Sequence, residues 1–268
     1  MTARFNDALC EIWALPAVRA KGPEPAQCRQ THEKPAHRAI KAYWPQKRTI
    51  TVSDRKLPLI RRARADDVDY IAWTILTAQR GHRSRGYFDI MLARPEPDCL
   101  AFARRVSTQA VKSWWHMSYF WIAEVDGEPA AALCALPSAG AMARAREAIV
   151  TAVREQVLTQ DEALAVMQRG AYAPRCWMPG DDRNRFIEHV ATSPGYRGRA
   201  LITSLLAHAL EEGKAAGHAK ASITFYIGNE PAERCYAKAG FTFVEERRDP
   251  EFEALTGSAG FRRFERAL

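Results

Sequence analysis

No apolar run in this chain of 268 residues reaches the length of about eighteen that a membrane-crossing helix needs, which excludes a helical bilayer span. The apolar stretch near Trp13 is broken by Asp7 and Glu11 and lacks a strongly basic start, so no signal peptide is expected. Cysteine is sparse. Cys10, Cys28, Cys99, Cys134, Cys176 and Cys235 are scattered, with no C-x-x-C and no metal-like spacing to histidine. This pattern excludes a disulfide framework, gives no reason to expect a metal, and is most simply read as reduced thiols in a cytoplasmic protein. Long charge runs are also missing. Residues 1–56 hold most of the net charge of +8 and a third of the fifteen prolines, yet show no interleaved aromatic pattern. They read as a basic, proline-containing and poorly ordered extension, and a solvated arm is favoured over a nucleic-acid tether.

What is present from Leu57 onward is one α/β unit, residues 57–268, of ordinary single-domain size. Leu59 to Arg62 reads as a strand, and Asp66-Asp67 offers a carboxylate cap to a helix over Val68 to Gln79. An Arg80–Gly86 loop and a second helical region through Cys99 to Val106 follow. Tyr119–Val125 and Pro129–Leu136 flank Asp126-Gly127, both of which tolerate the positive φ of a tight hairpin turn. Between this hairpin and a strand at Phe186–Thr192 lie about four dozen residues of helical pattern, roughly 137–183. That insertion includes an Ala/Arg/Glu-rich stretch from Ala141 and the capping box Thr159-x-x-Glu162, with Gly170 closing its second helix. Long excursions of this kind serve as lids, binding walls or dimer contacts.

The informative stretch runs from Arg183 to Phe241. After the Phe186–Thr192 strand comes Pro194-Gly195-Tyr196-Arg197-Gly198-Arg199-Ala200, then a helix whose apolar residues Leu201, Ile202, Leu205, Leu206, Ala209 and Leu210 recur at helical spacing. The first turn of such a helix leaves free N–H groups, and its dipole, Arg197 and Arg199 add positive charge. The arrangement suits a phosphate. A further strand over Ala219–Ile227 leads to Gly228-Asn229-Glu230-Pro231. Asn229 is a good N-cap and Pro231 suits the first turn of a helix that carries Ala232 and Tyr236 and ends at Gly240.

These two segments, strand–anion turn–helix and Asn229-x-x-Ala232-x-x-x-Tyr236-x-Lys238-x-Gly240-Phe241, resemble the GNAT family of acetyl-CoA-dependent N-acetyltransferases. The turn departs from the usual family pattern, R-x-x-G-x-G or R-x-x-G-x-A, and reads Arg197-x-x-Ala200-x-Ile202, so both small positions have grown. Ala200 is expected to keep an ordinary helical conformation. The resemblance implies a mixed central sheet splayed between its fourth and fifth strands, flanked by helices, with the helical insertion before the fourth strand. It further implies that Val190, Ala191, Thr192, Arg197, Gly198, Arg199, Ala200, Leu201, Asn229 and Ala232 hold acetyl-CoA, and that Tyr236 is the acid for the departing thiolate.

For the base, strand alternation singles out Glu188. It predicts Glu188, Val190 and Thr192 on one face and His189 on the other. Burial of a carboxyl in such a strand raises its pKa toward a useful range. Glu188 could equally orient the substrate or pair with Arg183 or Arg185, and His116 is a weaker base candidate. The expected acceptor is a primary amine of a small molecule, amino acid or peptide. Trp114, Trp115, Tyr119, Phe120 and Trp121 are split between core and pocket. A homodimer is compatible with the insertion. Two other readings stand beside the enzyme: an acyl-CoA-binding sensor without catalysis, and a nucleic-acid-associated protein acetyltransferase.

Overall fold

The computed structural model describes residues 57–155 and 159–268; residues 1–56, with the extension and the tether reading that falls on it, lie outside the described residues. Seven strands form one sheet: β1 (Leu59–Arg62), β2 (Phe120–Val125), β3 (Glu128–Pro137), β4 (Asn184–Thr192), β5 (Lys220–Tyr226), β6 (Thr242–Arg248) and β7 (Gly260–Ala267). Their spatial order is β1-β2-β3-β4-β5-β7-β6, antiparallel everywhere except for the parallel β4/β5 pair. The β2/β3 hairpin closes at Asp126 (φ 53°) and Gly127 (φ 85°), the paired positive dihedrals of a primed turn.

β4 and β5 pair only from Asn184↔Lys220 to Ile187↔Ile223. Beyond that point the two strands part, leaving the β5-side edge of β4 without a ladder partner from Glu188 to Thr192. This is the expected splay, and it positions everything that follows.

The helices are α1 (Val68–Arg80), α2 (Tyr87–Leu92), α3 (Glu96–Thr108), α4 (Ala141–Glu155), α5 (Gln160–Gly170), α6 (Leu201–Ala215), α7 (Glu230–Lys238) and α8 (Pro250–Thr256). On one face of the sheet, α6 buries Leu201, Leu205, Leu206, Ala209 and Leu210 against Ala123, Leu133, Ala135 and Ile187. Each such leucine contributes about 1.5–3 kcal/mol through the apolar surface removed from water. On the other face α1 packs on β4 and α3. The insertion forms two helices as its pattern predicts. Thr159 Oγ1 accepts from the Glu162 N–H at 3.2 Å while Glu162 Oε2 accepts from the Thr159 N–H at 3.1 Å, a complete capping box.

Two local expectations are corrected. Asp67 does not cap α1 with its side chain. Its carboxylate accepts instead from the Arg64 N–H (2.7 Å) and from Arg61 (2.6 and 2.9 Å), tying β1 to the short turn that precedes the helix. The last strand, β7, was not foreseen and inserts between β5 and β6. Its charges conceal it from a hydropathy reading. Arg262 pairs with Glu246 and Glu233, Arg263 with Glu245, and Glu265 with Lys220.

Candidate active site

β4 carries a β-bulge at the splay. Ala132 pairs with Ala191 and Cys134 with Glu188, so Leu133 alone lies opposite both His189 and Val190. His189 accommodates the extra residue with φ 48°. The predicted alternation therefore fails after Glu188. Cross-strand partners share a face, which sets Glu188 beside Cys134 and, one strand further, Phe120. The His189 ring stacks over Phe120 at 6.3 Å, so it lies on that same face and not the opposite one. Val190 packs instead against the cluster that holds Leu133 and Ile187, and Thr192 pairs with Ala131 of that cluster. One strand thus presents Glu188 toward the α1 side and Val190 and Thr192 toward the α6 side.

The turn before α6 begins with a short 3-10 segment, Pro194–Tyr196, after which Gly198 takes φ 78°. Ala200 is the N-cap of α6 with φ 56° and ψ 20°, which corrects the expectation of an ordinary helical conformation. A non-glycine residue there carries a steric cost of roughly 1–2 kcal/mol. A Cβ built on Gly195 or Gly198 would meet no protein atom within 4 Å, so the cradle above the turn is open. Arg197 and Gly198 are exposed, and the Arg199 guanidinium lies 5.0 Å from the centre of the Tyr196 ring. Leu201 opens the helix with its side chain in the core, leaving its backbone at the mouth. Ile202 packs against the same core while lining the cavity described below, so it forms the floor of the cradle without leaving the apolar cluster. The open turn, the helix start and the unpartnered β4 edge together fit a pyrophosphate followed by an extended amide chain.

Asn229 caps α7, its side-chain oxygen accepting from the Ala232 N–H at 3.5 Å, and Pro231 stands in the first turn. About two turns of helix then deliver Tyr236 to the gap. Its ring packs on Phe225 (5.4 Å) and Phe241 (6.5 Å), and it is 7% exposed. Burial pushes the phenol pKa up, with Cys235 and Glu188 adding electrostatically, so it stays protonated and able to donate.

A cavity of about 430 Å³ runs through the sheet at the splay. From the predicted set it brings together Glu188, Val190, Ala191 and Thr192 of β4 with Asn229, Ala232 and Tyr236 of α7. Arg197 stands at its α6 end. Gly198, Arg199, Ala200 and Leu201 border the turn without lining the cavity itself. Burial raises the Glu188 carboxyl from an ordinary 4.5 to about 8. Arg185 is committed to Glu212, and among the described residues Glu188 has no ion pair with it or with Arg183, the two partners considered for it. Burial lowers His189 to about 3, leaving it neutral. His116, the weaker base candidate, lies outside the cavity, with its Nδ1 accepting from the Ser118 N–H at 3.2 Å.

Trp177, Met142, Tyr87 and Cys235 also line the cavity and were not singled out from sequence. Two of them, Met142 and Trp177, come from the insertion, which therefore supplies part of the cavity wall. An unusual length before the fourth strand was the available signal, since a long excursion at a sheet's open end tends to carry function.

The family model described as acetyltransferase (GNAT) family matches residues 87–241. No curated protein sequence matches the chain. Among solved structures, an N-acetyltransferase from Staphylococcus aureus Mu50 is similar over 78% of this chain and 100% of its own, at 22% identity and a TM-score of 0.56. A structure described as an acetyltransferase covers 78% of this chain and 99% of its own at 16% identity, with a TM-score of 0.57. Both share the fold. The matched span contains the splay, the bulge, the turn before α6 and the helix that carries Tyr236, and the chain belongs to the acetyltransferase (GNAT) family.

Proposed function

We propose that the protein is an N-acetyltransferase that moves the acetyl group of acetyl-CoA to a primary amine by direct attack. The observation that carries this reading is a single cavity holding, at the end of one splayed strand, a carboxyl raised to about 8 and, from the facing helix, a protonated phenol. Acetyl-CoA supplies an activated thioester. The chain's residues do the rest. Arg197, with the N–H groups opening α6, binds the diphosphate, while backbone groups of Val190, Ala191 and Thr192 hold the extended arm along the open edge of β4. Glu188 accepts the proton that the amine loses, directly or through water. Tyr236 donates a proton to the departing sulfur. The two groups reach the gap from opposite faces of the sheet, so acceptor and donor enter from different sides and meet where the strands part.

Free-thiol release from acetyl-CoA, measured against a panel of amines, amino acids and peptides, tests the proposal. Release with at least one primary amine, abolished by omitting the amine, is expected. Tight acetyl-CoA binding with no release across the panel would overturn catalysis and leave a binding module.

A further inference from the structure

We propose that the acceptor is a monoamine with an apolar, aromatic body, and that the site rejects amines carrying a second charge of either sign. This inference rests on the N-acetyltransferase reading and names its substrate class.

The α1-side half of the cavity is walled by Tyr87, Trp114, Trp115, Met142 and Trp177. Trp115 is 3% exposed and held from several directions: parallel to Tyr87 at 6.4 Å, edge-on to Trp114 at 5.4 Å, and tilted against Phe88 at 5.5 Å. Trp114 in turn faces Trp177 at 6.4 Å. Trp177 is anchored by its own backbone, its N–H donating to the Pro174 carbonyl (3.2 Å) and its carbonyl accepting from Arg247 (2.8 Å). These are fixed apolar surfaces, the kind that bind a flat hydrophobic body with little ordering cost.

Charge is what the wall withholds. Among the residues lining the cavity only Glu188 and Arg197 are ionisable to a full charge near neutral pH, and Arg197 belongs to the turn before α6, at the other end. The His189 imidazole on the acceptor side is neutral, and burial keeps the Tyr87 and Tyr226 phenols protonated. One carboxyl serves one ammonium. A second ammonium, as in a diamine, would be desolvated against indole with no carboxylate to receive it. An amino-acid carboxylate fares no better, because no arginine of the insertion lines the cavity. Arg175 pairs with Asp249 and Glu251, and Arg169 donates to the Met91 and Leu92 carbonyls.

The experiment compares 2-phenylethylamine with 1,4-diaminobutane, in which a second ammonium takes the place of the aromatic body, and with L-phenylalanine, which adds only a carboxylate to the same body. Thiol release and calorimetric binding in the presence of CoA are both measured on the full chain. We expect kcat/KM and affinity for 2-phenylethylamine to exceed those of the other two at least ten-fold. Trp114→Ala should erase that preference mainly through KM, and Met142→Glu should raise affinity for the diamine. If thiol is released but the diamine or the amino acid equals or surpasses 2-phenylethylamine, the inference is overturned while the transferase reading stands. If calorimetry keeps the expected order and no amine releases thiol, the selectivity stands and the transferase reading falls. Absence of any order in calorimetry overturns the inference irrespective of turnover.

Discussion

Glu188→Gln separates a proton-accepting role from a merely structural one, because the elevated pKa has consequences in two independent assays. Burial moves the carboxyl from 4.5 to about 8, so the folded protein holds its proton over a window in which the unfolded chain has released it. Below pH 4.5 both states are protonated and the group has no effect. As pH rises toward 8 the unfolded state, which ionises first, is favoured, and stability falls; above 8 the loss is constant. Each pKa unit corresponds to about 1.4 kcal/mol, which bounds the loss at about 5 kcal/mol. Solvent reaching the half-buried side chain through the cavity reduces it to about 2–3 kcal/mol. Glutamine removes this slope, so between pH 7 and pH 9, above the range in which His189 and the other imidazoles titrate, the parent should lose stability in denaturant melts and the variant should not. In turnover, a base with a pKa near 8 is about 1% ionised at pH 6 and about 10% at pH 7, so kcat/KM should rise nearly ten-fold over that unit. The variant should lose this limb and retain only the higher limb from ionisation of the amine itself. Tyr236 and Cys134, the ionisable groups coupled to Glu188, are both pushed upward by burial and stay neutral across the window. An unmoved acidic limb would falsify the assignment of Glu188 as base, and identical pH–stability curves would refute the burial argument itself.

Tyr236→Phe should retain acetyl-CoA affinity and lower kcat at least about ten-fold, roughly 1–2 kcal/mol of barrier, and unchanged turnover removes it as the acid. Arg197→Ala should weaken CoA binding by an amount that shrinks as salt is raised, and equal calorimetric affinity would locate the phosphates elsewhere. Ala200→Gly should raise the melting midpoint by about 1 kcal/mol of stability, since glycine adopts φ 56° without a Cβ penalty; destabilisation would contradict the strained cap. Glu212→Ala should cost about 2–4 kcal/mol in a denaturant melt. Glu212 receives Arg62, the 6%-exposed Arg185 and Trp121 Nε1 (3.1 Å), and its removal strands a buried guanidinium. A loss below 1 kcal/mol would mean that the arginines find other partners.

Where sequence and structure agree, the signal was local. The hairpin at Asp126-Gly127, the capping box at Thr159, the Asn229 cap and the α6 stripe each depend on a few neighbouring residues, and each stands where the pattern sets it. Where they part, the deciding partner is distant. β7 is held by ion pairs to β5, β6 and α7, which no window along Gly260–Ala267 can reveal. The bulge at His189 depends on register with β3, so alternation counted along β4 alone sends His189 to the wrong face. Trp177 and Met142 reach the cavity because the insertion folds back over the open end of the sheet, a property of tertiary packing and not of their own segments.

The two strained non-glycine residues of the site bracket the strand–turn–helix that defines it. Four non-glycine residues among those described have positive φ. Asp126 belongs to the hairpin turn and Ala93 ends α2, which leaves His189 and Ala200. In a regular strand the side chains of Glu188, Val190 and Thr192 would all share one face of the sheet. One inserted residue at His189 keeps Glu188 toward the aromatic wall and turns Val190 and Thr192 toward α6, so a single strand presents different side chains to the two faces of the sheet. Ala200 then reverses the chain tightly enough for α6 to start beside that same edge. Strain at both positions persists because the packing around them fixes the backbone, and the acetyl-transfer geometry proposed here depends on each.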